Sequence, residues 1–124
     1  MKIAAHIAAT LLGLVFIAFS LLVLLHLAPA PNNLPPLAVQ FMTVFATSGW
    51  LIVVKICELI GGILVIIPKT RNFGLLFLGP IIINICSFHL LVEQGGFFPI
   101  PLILALLAAF LLFVERNKFA ALAN

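Results

Sequence analysis

Long apolar runs, broken by short polar or proline-rich stretches, set the rhythm of this chain. The first, IAAHIAATLLGLVFIAFSLLVLLHLA over residues 3–28, follows Lys2. Its core of twenty-odd residues, at about 1.5 Å per residue, covers a hydrocarbon layer of about 30 Å and predicts a membrane helix over about 4–27. APA at 28–30 offers a signal-peptide reading. The run exceeds the roughly 7–15 apolar residues of such a signal, and Pro31 would follow the cut, so a retained helix is expected. The four prolines and two asparagines of PAPNNLPP, 29–36, end it. LAVQFMTVFATSG, 37–49, is uncharged and too short to span, which suits a re-entrant or interfacial helix, and Trp50 marks an interface. WLIVVKICELIGGILVII, 50–67, is the second span and stops at the turn PKTRN. FGLLFLGPIIINICSFHLL, 73–91, is the third. VEQGGFFPIP, 92–101, supplies a turn with glycines and prolines before a fourth span over about 99–114, which ends at ERNK.

Composition agrees with this pattern. Hydrophobic residues make up 65% of the 124, charged residues only 7%, and the mean hydropathy is +1.41, against about 25% charged in a soluble domain. Too few polar residues remain to cover a water-facing surface, so an independent soluble enzyme is excluded. The expected fold is all-α: a polytopic membrane four-helix bundle, one domain over 1–124, with a short re-entrant or interfacial helix between spans one and two. The net charge of +3 comes from six basic residues and speaks to topology, not to nucleic acid. Lys2, Lys69, Arg71, Arg116 and Lys118 fall on one side under this scheme, and Glu93 is the sole charge on the other, which puts both termini in the cytoplasm.

Chemistry is concentrated in VVKICELIGG, 53–62. Lys55 and Glu58 stand at i and i+3, about 60° apart on a helix, so they share a face and can pair. A lone charge near the bilayer centre costs about 2.5–3.5 kcal/mol on insertion scales, so the pair is expected to face the interior. Aligning the spans by depth puts Glu58 level with Ser20 and Asn84, and Lys55 level with Leu22 and Cys86. His26 and His89 lie nearer the outer surface. The polar groups thus crowd the outer half and suggest a pocket there, roofed by 29–49 and lined by His26, Lys55, Glu58, Asn84 and His89. His89 stands about 140° from Asn84 on an ideal helix, so the two cannot both enter one narrow pocket.

Plainer readings stand beside this one. A Lys–Glu pair can serve only to fix helix register. His26 and His89 suit interfacial positions, and His6 suggests nothing special. Cys57 and Cys86 read best as small buried residues; a redox dithiol is the rival, and Cys57 faces away from Lys55 and Glu58. No metal or cofactor motif is visible, nor any self-contained catalytic one.

The segment FMTVFATSGWLIVVKICELIGGILVIIPKTRNFGLLFLGPIIINICSFHLL resembles the DoxX family of small bacterial four-helix integral membrane proteins. The Phe-Met segment, K..E..GG, the proline-to-basic turn and G..LGP..IN...FH carry the resemblance across nearly the whole chain. It implies the bacterial inner membrane, and Lys55, Glu58, Gly61, Gly62, Pro80, Asn84 and His89 as family-pattern positions. Some members are named as subunits of quinone-linked sulfur-oxidising enzymes, which implies a quinone ligand and membrane oxidoreductase subunits as partners. Three functions follow: binding a small amphipathic molecule for an oxidoreductase complex, proton-linked transport by a homodimer, or a purely structural membrane subunit.

Overall fold

The computed structural model describes residues 2–27, 34–92 and 100–122. These are helical throughout, apart from short turns, with no strand among them. Helix α1 runs from Lys2–Leu24, α2 from Pro36–Thr47, α3 from Trp50–Ile66, α4 from Arg71–Ser87, α5 from Ile100–Val114 and α6 from Arg116–Leu122. A 3₁₀ turn, Pro68–Thr70, joins α3 to α4, and a π-helical segment, Phe88–Val92, extends α4. The turns expected around 28–33 and 93–99, with Glu93, lie outside the described residues.

Helix α1 packs on α3, α3 on α4, α4 on α5, and α5 back on α1. The shared core is narrow: Ala5, Ala8, Leu12 and Phe16 of α1 meet Val65, Leu75, Leu78, Leu104 and Leu111. Small residues let the backbones approach. A Cβ on Gly62 would stand 2.9 Å from the Gly13 carbonyl oxygen, and one on Gly74 would stand 2.7 Å from the Val65 Cα, so both helix pairs depend on glycine at the crossing.

The exterior is as apolar as the interior. Ile83 is 67% exposed and Leu106 61%. Lys2–Leu24 and Pro68–Val92 are each long and apolar enough to cross a membrane, and the bent pair α2–α3 makes a third candidate. Ile100–Val114 is apolar but shorter. An apolar face of this extent is stable against lipid and not against water.

Pro36 occupies the first turn of α2, where its missing N–H costs nothing. Two residues past the end of α2 stands Gly49, whose φ of 84° lies in the left-handed region. Nothing stands within 4 Å of a Cβ built there, so glycine is required for its backbone conformation and not for space. Beyond it the chain turns by 82° into α3.

One feature differs from the sequence expectation. Helix α1 ends at Leu24, so His26, with a φ of 60°, lies beyond it and not within the expected 4–27 span. The helix expected over about 99–114 does end at Val114, before ERNK; a short helix, α6, follows, and its Phe119 packs against the core.

Candidate functional site

Lys55 and Glu58 are brought together on α3. Lys55 Nζ lies 3.1 Å from Glu58 Oε2 and donates to Oε1 at 3.5 Å, with the side chains 17% and 4% exposed. The i, i+3 spacing supplies the geometry. The carboxylate is interior, while the longer lysine keeps part of its stem and head at the bundle surface. An ammonium has three N–H donors, so Lys55 retains capacity for a carbonyl or anionic oxygen after engaging Glu58. On α1, Ser20 is fully buried and its hydroxyl has no hydrogen-bond partner among the described residues. The crossing of Gly13 with Gly62 puts it at about the depth of Glu58.

The other candidates are dispersed. His26 and Asn84 are both exposed. His89 is half-buried in the π segment, its ring edge-on to Phe88 at 5.5 Å. π-Helical turns recur at functional sites because they re-aim side chains. The contacts of Gly61 with Phe77 and Leu78 set α4 about one turn away from the register expected from sequence, so Glu58 is level with Pro80 and not with Asn84. Cys57 and Cys86 are free thiols, and Cys86 Sγ donates to the Pro101 carbonyl at 3.8 Å, tying α4 to α5.

Two features were not legible in the sequence. The first is an open groove of about 360 Å³ lined by Leu37, Gln40, Phe41, Val44, Phe45, Trp50 and Val92, between α2, the start of α3 and the end of the π segment. Its walls belong to an aromatic chain: Phe45 meets Trp50 edge-on at 5.2 Å, Phe41 meets Phe45 at 5.6 Å, and Phe41 meets Phe88 at 5.3 Å. None of the five sequence candidates lines it. The FMTVF spacing, with aromatics at i and i+4, was the signal available.

The second is a polar cap at the opposite end of α3. Arg71 is 4% exposed; its Nε donates to the Val65 carbonyl at 3.0 Å and its Nη2 to the Ile66 carbonyl at 3.3 Å, while Nη2 lies 3.2 Å from His6 Nδ1. Thr70 Oγ1 donates to the Leu64 carbonyl at 2.8 Å. The last carbonyls of α3, which have no partner within the helix, are thereby satisfied, and the guanidinium sits at the negative end of the helix dipole. His6 joins this network from α1.

Among the described residues, no three His, Cys, Asp or Glu side chains cluster to hold a metal ion. Comparison with known proteins finds no matching protein-family model, no matching curated protein and no matching solved structure.

Proposed function

We propose that this chain is a DoxX-like integral protein of a bacterial inner membrane. In this reading α1, α3, α4 and α5 cross the bilayer as a four-helix bundle, α2 lies re-entrant or along the outer interface, and both termini are cytoplasmic. Its role is to bind a small amphipathic molecule in the outer half, a quinone being the first candidate, in the service of a membrane oxidoreductase complex. The observation that carries the reading is the Lys55–Glu58 pair, held inside an apolar helix with donor capacity to spare. The open aromatic groove beside the Trp50 end of the same helix gives support, because it offers apolar walls for a ring or an isoprenoid tail. Lys55 would donate to the ligand oxygen, and Glu58 would orient Lys55 or relay a proton.

A second reading is favoured by the pair's self-sufficiency: Lys55 and Glu58 already satisfy one another, so they can serve as a register device in a structural subunit. Mass spectrometry of small molecules extracted from gently purified protein separates the two. Run beside the Lys55→Met/Glu58→Leu variant, it is expected to show a stoichiometric quinone or other amphipathic molecule that the variant lacks. Identical bulk lipid in two equally folded proteins would establish the structural reading.

A further inference from the structure

Asn84 is the anomaly of the outer surface. It lies four residues past Pro80, the midpoint of the apolar segment Pro68–Val92, or about 6 Å along the helix axis. It is nevertheless exposed, and its amide makes no hydrogen bond among the described residues. The residues leading up to it on this face, at steps of four, three and four, are Phe73, Phe77 and Pro80, all exposed. An amide on this face within the hydrocarbon layer has neither water nor protein to bond. Such a group is stable in lipid only when another helix supplies donor and acceptor.

We propose that this face of α4 is a homodimer interface, in which Asn84 of one copy hydrogen-bonds Asn84 of a second copy across a two-fold axis. The inference rests on the proposed membrane placement of α4. The occupant follows from the chemistry. A carboxamide carries both a donor and an acceptor, so it is its own complement, and an isologous contact satisfies both amides with the same residue. Pro80 contributes on the same stripe, because without its N–H the Leu76 carbonyl loses its ordinary helical donor and adds an acceptor near the contact. The inner face of α4 is already occupied by α3 and α5, so the dimer forms without disturbing the core.

Disulfide crosslinking in native membranes tests this, with Asn84→Cys or Ile82→Cys placed in a Cys57→Ser/Cys86→Ser background. Asn84→Cys is expected to give a covalent dimer under mild oxidation; Ile82→Cys, on the buried face, is expected to give none. In parallel, the dissociation constant of the otherwise unaltered protein is measured in lipid vesicles by energy transfer between labelled copies. Asn84→Leu is expected to raise it by about 3- to 30-fold, and Asn84→Gln to restore most of the association. Both substitutions are on the exterior and leave the packing intact. A protein that fractionates with membranes but gives no Asn84→Cys dimer, or whose Leu variant associates like the parent, overturns the proposal. So does crosslinking of Asn84→Cys to a different protein. A chain absent from the membrane fraction overturns the membrane reading, and the dimer with it.

Discussion

Single residues decide where this protein tolerates charge. Arg71 is buried because three acceptors await it, two of them carbonyls at the end of α3. Arg71→Met leaves those carbonyls without donors and is expected to lower stability by about 2–3 kcal/mol, read as a fall in the thermal midpoint in detergent micelles. Lys69→Met, at an exposed neighbour, is expected to change stability by less than about 0.5 kcal/mol. The Lys55–Glu58 pair makes a different prediction. Lys55→Met alone strands an interior carboxylate, so it should destabilise by about 3 kcal/mol, whereas Lys55→Met/Glu58→Leu should cost clearly less. A double variant as unstable as the single would show that the pair contributes more than mutual neutralisation. The pair was legible in the sequence because i, i+3 spacing fixes both distance and direction within one helix. Arg71's partners were not: its nearest acceptor is six residues back across a 3₁₀ turn, and His6 reaches it from another helix, so neither follows from periodicity.

At the scale of elements, α3 is the hub, and glycine sets its distances. Gly74→Ala would push a Cβ to 2.7 Å from the Val65 Cα and 2.9 Å from the Gly61 carbonyl oxygen, where only backbone can yield. A loss of about 1–3 kcal/mol is expected from this overpacking. Gly79→Ala meets nothing within 4 Å, so helix propensity should make it neutral or stabilising by up to about 1 kcal/mol. Comparing the two thermal midpoints in micelles checks the crossing directly. Apolar run length and prolines made the helical segments readable, because backbone hydrogen bonding in an apolar run leaves few alternatives. Azimuth was less readable. Depth alignment took Asn84 inward beside Glu58, but α4 buries the stripe Gly74, Leu75, Leu78 and Ile82, which leaves Asn84 facing out, and Gly61 against Phe77 and Leu78 sets it about one turn from the depth of Glu58. The continuation into α6 was missed because ERNK has the look of a helix end, although Phe119 just beyond it was a cue for further packing.

For the whole molecule, the charged residues of the described segments collect at one end of the bundle, except Lys55 and Glu58. Lys69, Arg71, Arg116 and Lys118 lie at the α3–α4 turn and the α5–α6 junction, and Lys118 pairs with Glu115 at 3.1 Å. A cytoplasmic location for that end predicts that cysteines introduced at Lys69 and Arg116 in a cysteine-free background resist an impermeant maleimide on intact cells and react after permeabilisation. Reaction on intact cells would invert the topology.

The left-handed Gly49 also bears on how the chain fits bilayers of different thickness. Without the turn, Pro36 to Ile66 would be one apolar rod of about 46 Å, well beyond a bilayer of about 30 Å. In the proposed membrane placement, the 82° corner would divide that length into a part across the bilayer and a part along it. On that placement the surplus would be a reserve: as a bilayer thickens, the end of α2 would swing into line and lengthen the rod, so that membrane thickness is read as a corner angle. Spin labels at Val39 and Ile63, read in lipids of increasing chain length, should move apart if the corner opens and keep their separation if it is rigid.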